Sequence, residues 1–417
     1  MSLCVTGAVL DGERVGLRAE EGMIVALGPG VAAREGDEVI DADGGPLVEP
    51  LLNGHTHAAM TLFRGYGDDL PLMRWLEEKI WPVEAKLEAD DVYWGTRLAC
   101  VEMIRTGTTR FWDMYWQPQA AARAVRDAGL RAAIGTPLID VSGSLAELRE
   151  AARRGLEATG ELAEPGRIVP SLAPHAIYSV SEASLRWIAE LGAERDAPVQ
   201  IHLSETEQEV DRCLAEHGVR PAVYLDGLGL LGPSTVLAHG VWLDRGELEL
   251  IAERGATVVS NPVANQKLAV GGAFPYPLAR EAGVMVALGT DGAGSNNSLD
   301  LLSDVKSFAL IQKHAARDPA VIDAAEAWAI ATGARAPRLG SGGRLGVGEA
   351  ADFLLLRPGT YELGLGELRA GLVYAASGSV VDTTVVAGEV LMRGGVVPDA
   401  GEVLARARER ARGLGLL

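Results

Sequence analysis

The chain has 417 residues, 48% of them hydrophobic and 23% charged, with a formal net charge of −19. That length exceeds one ordinary core and suits a barrel plus a smaller satellite domain, while the negative charge argues against a nucleic-acid or anionic-membrane partner. Three widely spaced cysteines (Cys4, Cys100, Cys213) build neither a disulfide framework nor a cysteine-rich zinc site; no signal-like segment follows Met1, and no run approaches the ~18 apolar residues of a membrane span, so a cytoplasmic protein is expected.

Residues 1–47 read as short strands with glycine turns, in SLCVTGAVL, RVGLRAEEGMIVALG and EVIDADGG. The same texture returns near 345–395, in ADFLLLRPG, GLVYAASG and VDTTVVAGEVLMRGG. Neither piece makes a covered sheet alone, so one small β-sandwich built from both chain ends is expected. Its halves are 1–47 and 341–417, the latter including a terminal surface helix in EVLARARERARGLG. Between them, 48–340 alternates strand and helix. Strands are expected at 47–53, 107–113, 131–138, 168–173, 199–203, 235–239, 256–261 and 284–290. Helices are expected at 89–105, 118–129, 145–159, 181–195, 207–217, 244–254 and 276–283, then at 299–315 and 319–333. Repeated β-α units imply parallel strands with right-handed crossovers, and a count near eight favours an α/β fold of the closed (β/α)8, TIM-barrel type. The phosphate-binding motif GxxxxGK[ST] is absent, which weakens a nucleotide-fold reading.

In such a barrel the active site lies at the C-terminal ends of the strands. His55 and His57 follow the first apolar run, His175 the fourth, His202 the fifth with Glu205 three residues on, His239 the sixth and Asp291 the eighth. Alternation along a strand turns His55 and His57 to one face. A single histidine is commonly a satisfied core residue, but five of seven at the same end of separate strands are not explained that way. His217 and His314 lie outside the pattern. His55, His57, His202 and Asp291 offer three nitrogen donors and a carboxylate, a set that suits one divalent metal, zinc first and ferrous iron second, with room for water. Such a metal lowers the pKa of bound water toward neutrality. Two-metal versions commonly bridge through a carboxylated lysine on the fourth strand; no lysine occurs between Lys86 and Lys267, which excludes that site. Glu205 is placed to carry a proton, Asp291 to ligate metal and accept one, and His239 to hold the nucleophile or serve as a further ligand.

GHTHAAM, HLSE, LAHG and GTDGAGSNN, in that order and spacing, resemble the amidohydrolase superfamily, in the subgroup of 5-methylthioadenosine/S-adenosylhomocysteine deaminases and related chlorohydrolases. MTLFRGYGDDLPLMRWLEEKIWPVEAKL, residues 60–87, is similar to the deaminase branch almost throughout. The resemblance covers about 48–335 and, more loosely, the sandwich. It implies hydrolytic deamination of a 6-aminopurine nucleoside to its inosine form plus ammonia. Glu205 would protonate the ring nitrogen beside C6, Asp291 would take the proton of the water, and His239 would steady the nucleophile. It also implies substrate contacts from Glu84 and His175 to the ribose and an aromatic wall from Trp75. The expected partner is a small molecule; a homo-oligomer is left open. The same chemistry would serve deamination or dechlorination of guanine, a pterin or a triazine, and a non-catalytic barrel is the remote alternative. Two departures bear on substrate. Arg149, Arg153 and Arg154 lie in a helical run and do not match the family's carboxylate-binding arginines, which favours an uncharged 5'-substituent. SNPVANQKLAVGGAFPYP, residues 260–277, stands where other members often have a cysteine-proline-glutamate-serine sequence, and Asn261 and Asn265 are expected at the pocket rim.

Overall fold

Period-two apolar runs and period-3.6 runs alternate along the middle of the chain, and each becomes what its period dictates. The computed structural model describes residues 2–141, 143–164, 166–340 and 344–417. Eight strands, Leu51–Thr56, Thr108–Met114, Arg131–Leu138, Ile168–Pro174, Val199–Leu203, Thr235–His239, Thr257–Ser260 and Met285–Leu288, form one sheet in sequence order. Every neighbouring pair is parallel. The last strand returns to the first through Asp291 N–H donating to His55 O (3.0 Å) and Thr290 N–H donating to Asn53 Oδ1 (3.0 Å). That seam needs glycine: a Cβ on Gly289 would lie 2.8 Å from His55 O.

Leu52, Trp112, Ala133, Val236, Val259 and Ala287, from six of the strands, fill the barrel interior against Ala336 and Leu339. These residues stand a few positions before the polar groups at the strand ends, so a dry layer closes one mouth and leaves the other for chemistry.

The expected first strand, 47–53, is divided. Pro50 interrupts it: Leu47–Val48 pairs with Phe353–Leu356 in a separate sheet, and the barrel begins at Leu51. Proline lacks the N–H that a continuous ladder would use. Two four-stranded sheets flank the barrel. One is wholly N-terminal, from Ser2–Leu10, Glu13–Glu20, Met23–Gly28 and Glu38–Asp41; the other joins Leu47–Val48 to Phe353–Leu356, Val381–Val386 and Glu389–Met392. They share a core that includes Leu3, Val5, Leu17, Ile24, Phe353, Leu355 and Val385, so neither sheet is covered without the other end of the chain. The 340/341 boundary expected from the sequence abuts residues 341–343, which lie outside the described residues. GLVYAASG is not a strand: Leu368–Tyr374 is a helix, its N-terminus capped by the Glu367 carboxylate. The helix Ala400–Gly413 buries Val403, Ala407 and Ala411, one stripe of its surface, and its Arg410 pairs with Asp91 at 2.6 Å. No helix among the described residues is long and apolar enough to cross a membrane.

Barrel and flanking sheets are joined by a buried fork. Arg131 Nε and Nη2 donate to the two carboxylate oxygens of Asp352 at 2.6 and 2.9 Å, and Asp352 also accepts from Ala387 N–H at 2.7 Å. Removing one partner of a buried pair strands the other's charge, so Asp352→Ala is predicted to lower stability by about 3–5 kcal/mol. Urea unfolding followed by circular dichroism measures it; a midpoint equal to that of the unsubstituted chain would contradict it.

Candidate active site

The polar ends of the barrel strands converge on one point. His55 sits where the ladder between the first two strands is irregular, between Asn53 and Thr56, so the histidine pair is held at a bulge and not on a regular strand. Its ring is fully buried, both ring nitrogens lack a protein partner, and burial drives its pKa down to about 4. His57 lies just past the strand; Ala58 N–H behind it is held by Asp113 Oδ1 at 2.7 Å. His57 Nδ1 donates to Met114 O (2.7 Å) and His202 Nδ1 to His175 O (2.7 Å), which leaves Nε2 of each facing inward, 3.4 Å apart. His239, at the end of the sixth strand, takes a positive φ of 75°. Its Nδ1 donates to Asn265 Oδ1 at 2.8 Å, again freeing Nε2.

Asp291 completes the ring from the eighth strand, also with positive φ (60°). Its Oδ2 accepts from Ser295 Oγ (2.7 Å), while buried Oδ1 has no hydrogen-bond donor and lies 3.1 Å from His57 Nε2 and 3.6 Å from His55 Nε2. Burial disfavours the Asp291 charge, but the imidazoles around it outweigh burial and hold its pKa well below the usual carboxylate range. Burial likewise works against a charged His57, yet Asp291 pulls its pKa up to about 9. Without a metal, a proton on His57 Nε2 is the positive charge that faces Asp291 Oδ1; a divalent cation would take its place. One ligand atom from each of His55, His202, His239 and Asp291 lies within 4.8 Å of the other three, a donor set that fits one divalent metal of borderline softness. His239 is inside this tightest group; His57 is outside it, though its Nε2 borders both Asp291 and His202.

A cavity opens from this cluster. Glu205, His175, Glu84 and Trp75 all line it, together with Tyr115, Trp116, Pro137, Ile139, Tyr178 and Leu268. Glu205 stands beside His239, 3.8 Å from its Nδ1, and burial raises its pKa. His175 Nδ1 donates to Ser179 Oγ (2.8 Å), whose own hydrogen goes to Ala176 O (3.2 Å), so Nε2 is an acceptor; burial lowers the pKa to about 4. Glu84 is raised by burial, with Tyr115 and Trp116 close by. The roof is segment 58–84, for which the sequence predicted no element. It folds as short helical turns at Ala58–Phe63, Leu72–Trp75, Leu76–Ile80 and Trp81–Glu84. Stacked on Tyr224, His217 lies away from the cavity, and His314 is on the helix Leu301–Ala316.

Asn261 and Asn265 are not at the rim. Both are buried; Asn265 is behind His239 and Asn261 faces the Gly289 seam. The helix Pro262–Lys267, directly after the seventh strand, carries Asn265 under the histidine. Its four-residue spacing from Asn261 was visible in the sequence, but which group it would face was not. Arg149 and Arg153 lie over the Trp187 ring and Arg154 pairs weakly with Glu150.

The profile of the amidohydrolase family matches residues 51–391. The chain belongs to the amidohydrolase family. It is 48% identical to the 5'-deoxyadenosine deaminase of Methanoregula boonei, over 89% of this chain and 85% of that protein. It is 42% identical to 5-methylthioadenosine/S-adenosylhomocysteine deaminase 1 of Archaeoglobus fulgidus, over 92% of both. Among solved structures, an adenosine deaminase from Xanthomonas campestris with bound zinc superposes with a TM-score of 0.91 at 33% identity, covering 100% of this chain and 98% of that one.

Asn265 fixes the tautomer and ring plane of His239 much as outer partners do for metal-binding histidines. Asn265→Ala is predicted to weaken divalent-metal affinity about 10- to 100-fold, read by competition with a chelator. Unchanged affinity would remove His239 from the ligand set.

Proposed function

We propose that the chain is a metal-dependent aminohydrolase that converts a 6-aminopurine nucleoside to its 6-oxo form and ammonia, acting on a cyclic amidine C–N bond. The observation that carries this reading is the buried Glu205 carboxyl group lining the same cavity as His202, His239 and Asp291 of the donor set. Similarity over nearly the whole chain to proteins named as deaminases of 5'-deoxyadenosine and of 5-methylthioadenosine/S-adenosylhomocysteine supports it. In this reading residues 48–340 are the catalytic domain, with 1–47 and 341–417 as its satellite. Zinc is the expected metal, as in the adenosine deaminase structure it resembles. When bound, a divalent metal polarises water and brings its pKa toward neutrality.

The residues then divide the work. Its proton affinity raised by burial, Glu205 delivers a proton to the ring nitrogen beside C6, so that the ring accepts electrons as water adds. Asp291, held anionic, takes the proton from that water. The nitrogen that Asn265 leaves free on His239 would hold that metal beside the attacking oxygen. Collapse of the tetrahedral carbon expels ammonia as Asp291 passes the water's proton to the amino group and the new C6 hydroxyl returns a proton to Glu205. Trp75 walls the base, and the acceptors Glu84 and His175 Nε2 receive the ribose hydroxyls. Among the described residues, the lining of this cavity contains neither arginine nor lysine to pair with a carboxylate on the 5'-substituent, which supports a neutral one. The three cysteines are free and buried, which suits a cytoplasmic enzyme.

The test is the loss of the adenine absorbance, with ammonia release, for zinc-loaded protein given 5'-deoxyadenosine, 5-methylthioadenosine, adenosine and S-adenosylhomocysteine. Turnover is expected, with kcat/KM for the neutral 5'-deoxy and methylthio compounds about 10-fold or more above S-adenosylhomocysteine. Activity confined to guanine, a pterin or a triazine would overturn the nucleoside assignment. Glu205→Gln is expected to retain zinc while kcat falls about 100-fold or more; near-full turnover in that variant would remove Glu205 as the proton carrier.

A further inference from the structure

Glu205 follows His202 at the end of a strand, and three residues form an elbow there: Leu203, Ser204 and Glu205. Ser204 takes a left-handed φ of 49° that a side-chain-bearing residue adopts only when its surroundings hold it. On one side the elbow is tied to the strand that ends in His239: Gly240 N–H donates to Leu203 O and Trp242 N–H to Ser204 O, each at 2.9 Å. On the other side stands one buried carboxylate. Glu209 Oε1 accepts from Ser204 N–H at 2.8 Å, and Oε2 from Glu205 N–H at 3.0 Å.

Helix capping is the ordinary explanation for a glutamate at this place. Thr206 caps the helix Glu207–His217, its Oγ1 accepting from Glu209 N–H at 3.2 Å. In a capping box the glutamate would reach back to the N–H of the cap residue itself. Glu209 reaches further, to the two residues before the cap, and its two oxygens are divided between two consecutive N–H groups. A carboxyl group can do this because both of its oxygens accept, and it does so here although burial pushes the Glu209 pKa up to about 8. At 4% exposure, a desolvation cost is borne at this position.

Where Glu205 points is set first by its backbone. We infer that Glu209 is a positioning residue for the reaction: it clamps the Ser204–Glu205 peptides so that the Glu205 carboxylate is aimed between His239 and the substrate ring. The inference rests on the deaminase reading above. Glu209 never meets the substrate; its effect reaches chemistry through Glu205 alone.

Glu209→Gln replaces one accepting oxygen with an amide NH2 facing a backbone N–H, which forces that end of the clamp open. Zinc-loaded Glu209→Gln is expected to lose about 100-fold in kcat, with KM for 5-methylthioadenosine and zinc content nearly unchanged. A double-mutant comparison separates positioning from bulk structure. In a Glu205→Gln background, read at raised enzyme concentration, Glu209→Gln should cost less than about twofold more. The same fractional loss in both backgrounds, or full activity of the single variant, overturns the inference and leaves the deaminase assignment standing. If the unsubstituted protein turns over none of the nucleosides, both fall. Should Glu209→Gln not fold, Glu209→Asp retains two acceptors on a shorter arm and is read by the same comparison. A kcat loss that vanishes in the Glu205→Gln background supports the clamp, and an undiminished loss contradicts it.

Discussion

The constraint on which the rest depends is the convergence of imidazole nitrogens on one buried anionic oxygen, Asp291 Oδ1. The neighbours of that point are turned to face it by bonds on their far sides: His57 by Met114 O, His202 by His175 O, His239 by Asn265, and Asp291 itself by Ser295. Each of those outer bonds fixes a tautomer or a rotamer, so the inner geometry is decided before any ligand arrives. Such an arrangement is stable only around positive charge. The barrel supplies what that requires: strands that end together, a dry interior below, and glycine at the seam where the eighth strand meets the first.

Much of this was legible in the sequence because barrels convert chain order into spatial order. Apolar runs followed by His, His, His and Asp had to place those side chains at one mouth once the strands were parallel. His55 and His57 were less predictable in detail. Alternation along a strand was the natural rule for them, yet the ladder is irregular at that point and His57 lies beyond the strand. The division at Pro50 is another local fact with a clear cause: a residue without an N–H cannot continue a ladder, so one apolar run serves two sheets. Leu368–Tyr374 was misread for a different reason. Its apolar residues are as compatible with a short buried helix as with a strand, and only packing decides between them.

The roof and the outer bonds were not legible. Residues 58–84 are held by what they cover, in turns too short to leave a periodic signature. Asn265 and Glu209 act across space, on a histidine 26 positions earlier and on peptide groups just before a helix. Nothing in their spacing names those partners. A sequence reports which side chains are available at a barrel mouth; the residues that aim them are found by following each hydrogen bond outward.

The sheet that Leu47–Val48 enters has a consequence for how the molecule is made. Leu47 pairs with Leu355, so during synthesis the N-terminal sheet waits while the whole barrel is translated, for roughly tens of seconds at ribosomal rates. Through that interval the apolar faces of Leu3, Val5 and Leu17 lack their final cover, and Arg131 lacks Asp352. Such long-range closure is slow and exposes sticky edges. The barrel therefore has every opportunity to form first and to serve as the platform on which the two distant ends of the chain meet.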